Sequence, residues 1–179
     1  LGFYILHEGP LAVFNETLKE VDYDDLQEGP ADATKSTGGW IGITDKYWLA
    51  ALIPDQKQPY TGTFRYSKPN KQDTYQADFM TQAPQLIAPG ATAQTVSHVF
   101  VGAKEVTLLD RYEEQLGIAR FDLAVDFGWF YFLTKPIFYM LHWFFLQFGN
   151  FGLAILALTV IFKLAFFPLA NKSYKSMSR

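Results

Sequence analysis

With 179 residues the chain has room for one domain plus a membrane segment, and its lack of cysteine excludes disulfides and CxxC chemistry. The three histidines, His7, His98 and His142, form no HExxH, and no GxSxG occurs, so the common metal and nucleophile motifs are excluded as well. A net charge of −3 conceals a partition: all 18 acidic residues lie in 1–126 beside ten Lys or Arg, a balance of −8, whereas 127–179 carries five Lys or Arg and no acid. An acidic part joined to a basic, aromatic, acid-free tail is what a water-facing domain on a membrane anchor shows.

Residues 1–126 read mainly as strands. Short β-branched or aromatic runs occupy 3–7, 11–14, 40–43, 47–53, 61–66, 74–80 and 93–101, separated by turn formers such as Gly9-Pro10, Gly29-Pro30, Pro69-Asn70 and Pro89-Gly90. Many short strands at such spacing predict a β-sandwich. The polar stretch 22–36 is expected to be a loop or an edge segment. Its Asp22, Asp24 and Asp25 lack EF-hand spacing and read as a solvated acidic loop. Gly38-Gly39-Trp40 has no phosphate-loop lysine and reads as a turn entering a strand. Residues 104–116 are more helical, with Val106, Leu109 and Leu116 apolar among charges and Gly117 as the stop.

Residues 127–148, FGWFYFLTKPIFYMLHWFFLQF, are long enough to span a bilayer, but Pro136 interrupts them. Lys135 and His142, seven apart, share a face with Tyr131 and Tyr139 nearby, and Trp129, Trp143 and the other aromatics are spread along the length. That pattern predicts an amphipathic helix lying in the membrane interface, polar stripe toward water. The alternative is a second spanning helix, paired with the next through Gly149-Asn150, since proline is tolerated in membrane helices.

Residues 151–170, FGLAILALTVIFKLAFFPLA, form a true span: at about 1.5 Å per residue they cover the roughly 30 Å of hydrocarbon. Lys163 is its only charge. An intramembrane cation costs about 2.5–3.5 kcal/mol on the lenient insertion scale, so it usually faces a polar cavity or a partner. The competing reading is snorkelling of the ammonium toward the headgroups. Thr159, four residues earlier and hence on the same face, favours the polar site. Lys172, Lys175 and Arg179 crowd the C-terminal side, against Lys135 alone in the twenty residues before the span. The positive-inside rule then puts residues 171–179 at the start of a cytoplasmic loop and the acidic domain across the membrane. The absence of an initial Met and of any basic-then-apolar leader suggests a piece of a longer protein.

The order Asp126-Phe127-Gly128-Trp129, Lys135-Pro136-Ile137-Phe138, Gly149-Asn150-Phe151-Gly152, Lys163, Phe167-Pro168-Leu169 and Ser173-Tyr174-Lys175-Ser176-Met177 closely resembles bacterial YidC membrane-protein insertases. Gly38-Gly39-Trp40 and Phe100-Val101-Gly102 resemble the end of that family's large periplasmic domain. The resemblance implies a mainly β fold, part of a periplasmic β-supersandwich, followed by an interfacial helix and the second membrane helix of a multi-pass protein of the inner membrane. It implies no bond-breaking enzyme, no metal and no cofactor. Instead, a positive residue in a hydrophilic groove attracts polar parts of an incoming chain. Lys163 matches that position, where many members have arginine, and Thr159 matches a neighbouring groove residue. Lysine keeps the charge but lacks the planar, multi-donor guanidinium. The implied partners are nascent membrane proteins and the lipid bilayer, with the Sec translocon and ribosome as further candidates and no nucleic-acid cofactor. A second reading from another class is a membrane-tethered periplasmic β-sandwich that binds a glycan or protein.

Overall fold

The computed structural model describes residues 6–29, 31–128 and 130–177, and side chains at these positions other than 170 and 173–177. Two compact units follow each other, 1–126 and 127–179. The first unit contains two antiparallel sheets. Sheet A has the order β2-β1-β4-β5-β8 and sheet B the order β3-β6-β7. The strands are β1 (Gly9–Phe14), β2 (Thr17–Glu20), β3 (Asp32–Thr37), β4 (Gly39–Thr44), β5 (Trp48–Ile53), β6 (Pro59–Ser67), β7 (Thr74–Thr81) and β8 (His98–Ala103).

Strand β1 is buried along its whole length because both faces of sheet A are covered near it. Its alternation sends Leu11 and Val13 to one side and Ala12 and Phe14 to the other. The first pair joins Trp40, Leu49, Ala51 and Ile53 under α2 (Val106–Leu116) and the short turn of helix Phe121–Ala124. The second pair joins Ile41, Tyr60 and Phe64 between the sheets. Trp40, opposite Val13 in the register, is fully buried. Its ring meets Phe121 edge-on at 5.5 Å, and its indole N–H donates to the Arg120 carbonyl at 3.3 Å.

Two glycines are required by close approach. On β6, Tyr60, Gly62 and Phe64 share the inward face, and a Cβ at Gly62 would lie 2.6 Å from the Phe14 ring. Gly39 has φ +92°, and a Cβ there would lie 1.9 Å from the Val13 carbonyl oxygen. The Gln56 amide holds this crossing: it donates to the Gly39 and Pro54 carbonyls at 2.9 Å each and accepts from the Gly39 and Ala119 N–H groups. Beside it, the Tyr60 and Ser36 hydroxyls both donate to the Gly38 carbonyl, at 3.0 and 2.9 Å. Burial pushes the Tyr60 phenol up to about 12, against a smaller opposing effect of its bond with Ser36.

Several local expectations are corrected. Of residues 22–36, strand β3 is an edge of sheet B, as the edge reading has it, whereas Tyr23–Glu28 form a helix, α1, and not a loop. The acids that make the segment look solvated lie around a single buried side chain, Leu26. Strand β2 has no turn signature in the sequence, because its turn, Asn15-Glu16, has positive φ at both residues, 49° and 65°, without the usual glycine. Asn15 is held there by β3, its side chain donating to the Lys35 carbonyl at 3.1 Å and its N–H to Ser36 Oγ at 2.9 Å. Only His98 onward of the run 93–101 is strand, because 93–97 has no neighbouring strand to pair with. Of the run 3–7, residues 3–5 lie outside the described residues, and Leu6 and His7 are not in a strand.

Candidate functional site

The second unit is a pair of helices, α3 (Tyr131–Phe148) and α4 (Phe151–Met177), that pack against each other. Gly149 ends α3 in the left-handed region, φ 63°, with its N–H on the Phe145 carbonyl at 2.8 Å. Asn150 then caps α4, its side-chain oxygen accepting from the N–H groups of Gly152 and Leu153 at 2.8 and 3.3 Å. The Phe145 and Phe151 rings stack across this turn with centroids 4.0 Å apart. These clasp residues were not among the expected site residues. Their sequence signal was the run Gly149-Asn150-Phe151-Gly152.

On α3 the stripe residues have near neighbours on the same helix. Lys135 Nζ lies 2.9 Å from the Tyr131 hydroxyl, and His142 stacks on Phe138 at 6.2 Å. Lys135 and His142 are half-buried, whereas the exposed face is apolar: Phe132, Leu133, Met140, Trp143 and Leu146. Pro136 is accommodated within the helix on this exposed face. The exposed face is thus largely apolar, and Tyr139 of the stripe is exposed with it. Trp129 lies outside the described residues.

Among the described residues, α4 is the one helix long and apolar enough to cross a membrane, over Phe151–Leu169. Among its described side chains, Ala154 and Leu158 are the buried ones. At about 100° per residue, Lys163 is turned roughly 180° from Ala154, on the opposite side of the helix. Lys163 and Thr159 are both exposed, flanked by exposed Val160 and Leu164. The Thr159 hydroxyl donates to the Ile155 carbonyl at 2.7 Å, so it is satisfied within the helix and retains acceptor capacity for a further donor. The two residues thus form an outward polar strip one helical turn long, on a cylinder otherwise clad in aliphatic and aromatic side chains.

Helix α4 does not stop at 170. It runs on to Met177, so residues 171–177 are helical where a loop was expected. No glycine follows Leu169 to end the ladder. Lys172 is exposed on this continuation, and Lys175 sits on it with its side chain outside the description. Arg179 lies outside the described residues. Among the described residues no group of three acidic or histidine side chains is arranged to hold a metal ion.

Comparison with known proteins places this geometry in context. The model of the YidC periplasmic domain family matches residues 1–140, which takes in both sheets, α2 and half of α3. Proteins named membrane protein insertase YidC from Rickettsia bellii (strain OSU 85-389), Rickettsia massiliae (strain Mtu5) and Rickettsia felis (strain ATCC VR-1525 / URRWXCal2) are 48%, 49% and 49% identical to it over 98% of the chain. That alignment reaches through α4, and it spans 31% of the length of each relative. With the matching family model covering most of its length, the chain belongs to the YidC periplasmic domain family.

Proposed function

We propose that this chain is the central part of a membrane-protein insertase. The reading is carried by the alignment, which runs through sandwich, α3 and α4 with relatives named as insertases. In it the first unit is periplasmic, α4 crosses the inner membrane and Lys172 emerges on the cytoplasmic side with the C-terminus. The full-length protein is multi-pass. Its partners are the bilayer and nascent membrane proteins, with the Sec translocon and ribosome as further partners.

Lys163 and Thr159 line a hydrated groove, whose other walls are further membrane helices of the parent. Their position supports this role: α3 occupies the other side of α4, leaving the strip free to face a cavity. The chemistry is electrostatic, with no bond broken. A polar tail crossing hydrocarbon alone meets a desolvation cost of several kcal/mol or more. A hydrated recess shortens that path, and a fixed cation lowers the cost for a carboxylate entering it. The Thr159 oxygen offers a weaker acceptor one turn away. The apolar outer face of α3, with Trp143 at its middle, beds in the acyl boundary as an interfacial helix. Lys135 and His142 lie on its half-buried side.

The test is reconstitution of the full-length parent into liposomes, scoring protease protection of a small single-span protein with an acidic translocated tail. Native protein should protect it and Lys163→Leu should not. Equal protection by both would reject the groove charge while keeping the insertase, and protection by neither would favour the tethered binding module.

A further inference from the structure

The turn between β4 and β5 carries its bulk outward. Lys46 and Tyr47 join the two strands: the Asp45 N–H donates to the Trp48 carbonyl at 2.9 Å, and the Asp45 carboxylate accepts from the Lys46 N–H at 2.7 Å. The Thr44 hydroxyl adds a bond to the same Trp48 carbonyl at 3.0 Å. A turn held in this way by its backbone and two small polar side chains has no need of aromatic rings. Yet Tyr47 is 65% and Trp48 60% exposed, and Lys46 Nζ lies 5.4 Å from the centroid of the Tyr47 ring. Rings that each carry one polar atom, beside a lysine, are the set of side chains that concentrates where hydrocarbon meets headgroups.

This tip lies at the end of the first unit from which the chain leaves for α3 and α4. Lys104, just past β8, donates its N–H to the Tyr47 carbonyl at 2.9 Å, and the carboxylates of Asp126 and Asp45 both act on its ammonium. Asp126 is the last residue of the first unit, and α3 begins at Tyr131. Fully extended, the chain from 126 to 131 reaches about 18 Å at most. The turn Asp55–Gln58, at the far end of β5, is removed from the tip by the length of that strand, about 20 Å. Charge does not bring this end to an anionic surface. Residues 1–126 carry a balance of −8, and Glu8, Asp22, Asp24, Asp25 and Asp126 line a recess of about 800 Å³ beside the tip. Partition of the two rings is the force available.

We propose that the turn Asp45–Trp48 rests in the headgroup layer of the bilayer that α4 crosses, with the Tyr47 and Trp48 rings at the acyl boundary and the Lys46 ammonium among the phosphates of zwitterionic lipid. The bilayer is chosen as the occupant by chain length, since so short a connection keeps this end of the domain close to helices that are themselves apolar outside. The contact gives the first unit a second hold on the membrane besides its covalent tether, and so restricts its swing. The proposal rests on the crossing of α4 in the reading above, and on neither the groove nor insertion.

The test uses single-thiol variants of the full-length parent, Lys46→Cys, Lys57→Cys and Phe166→Cys, each carrying a nitroxide in phosphatidylcholine vesicles. This chain brings no competing cysteine, and any outside it is replaced by serine. Power-saturation electron paramagnetic resonance compares collisions with oxygen, which concentrates in lipid, and with a water-soluble nickel chelate. The oxygen-to-nickel ratio at 46 should exceed that at the exposed position 57 by at least about threefold, as for a site in the interface. With Tyr47→Ser and Trp48→Ser added, the ratio at 46 should fall to that at 57, while 166 on α4 stays lipid-like. Equal ratios at 46 and 57 beside a lipid-like 166 would overturn the proposal. So would poor access of both reagents to 46, the mark of cover by protein, or a raised ratio that survives loss of the rings. A water-like signal at 166 would overturn the crossing of α4 and this proposal with it.

Discussion

The indole N–H of Trp40, on β4, donates to the carbonyl of Arg120, the residue that opens the short helix Phe121–Ala124. This bond and the edge-on contact with Phe121 fasten sheet A to the segment that leaves the domain. Replacing Trp40 by Phe removes the donor and part of the ring and should destabilise the first unit by about 1–3 kcal/mol. Trp40→Ala should cost about 3–5 kcal/mol. Urea unfolding of the chain in detergent, followed by near-ultraviolet circular dichroism, measures both.

The notch at Gly62 predicts a paired effect. Gly62→Ala pushes a methyl into the Phe14 ring and should cost about 1–3 kcal/mol by overpacking. In a Phe14→Leu background the same change should cost less than about 1 kcal/mol, since the two positions are in contact and do not add. A double-mutant cycle on unfolding free energies decides it, and additivity would mean that the sheets move apart without resistance.

Tyr60 predicts an alkaline limit. Unfolded, its phenol ionises near 10; folded, it holds its proton to about 12. Between those values the unfolded chain binds fewer protons than the folded one, so stability falls as pH rises and is unaffected below the window. The full displacement corresponds to about 2–3 kcal/mol. Tyr60→Phe should start lower, having lost the bond to Gly38, and should show a flatter decline from pH 10 to 12 in the same unfolding assay.

At Lys163 the sign of the charge should matter more than its shape. Lys163→Arg should keep insertion of an acidic-tailed substrate within about twofold, because both are cations at neutral pH. Lys163→Glu should depress that substrate by about tenfold or more and favour one with a basic tail, as a fixed anion reverses the interaction. Parallel liposome assays with two tail charges separate this from a general loss of folding, which would depress both.

The elements legible in the sequence were those whose pattern is local. Strands β4, β5, β6 and β7 announce themselves by aromatic and β-branched runs, and Gly117 stops α2 in the left-handed region as its position suggests. Strand β2 was illegible because its reason lies elsewhere: the Asn15 turn is held by Ser36 and Lys35, residues far along the chain. Gln56 likewise looks like an ordinary surface amide until the fold brings Gly39 and Ala119 to it. Of the candidate site, hydropathy and the lone charge singled out Lys163, and helical spacing joined it to Thr159. The side of α4 that packs on α3 could not be read, since Ala154 and Leu158 are no more apolar than their neighbours.

The register of sheet A also imposes an order on the birth of this protein. Leu49 pairs with Gly102, while all of sheet B's strands β6 and β7 are encoded between them. A chain emerging from its N-terminus therefore exposes the inner edge of β5 while β6 and β7 are being delivered. Non-local closure of this kind is slow, and open edges are where immature chains stick together. Until β8 arrives, the half-made sheet therefore carries an open edge that must be kept from other chains.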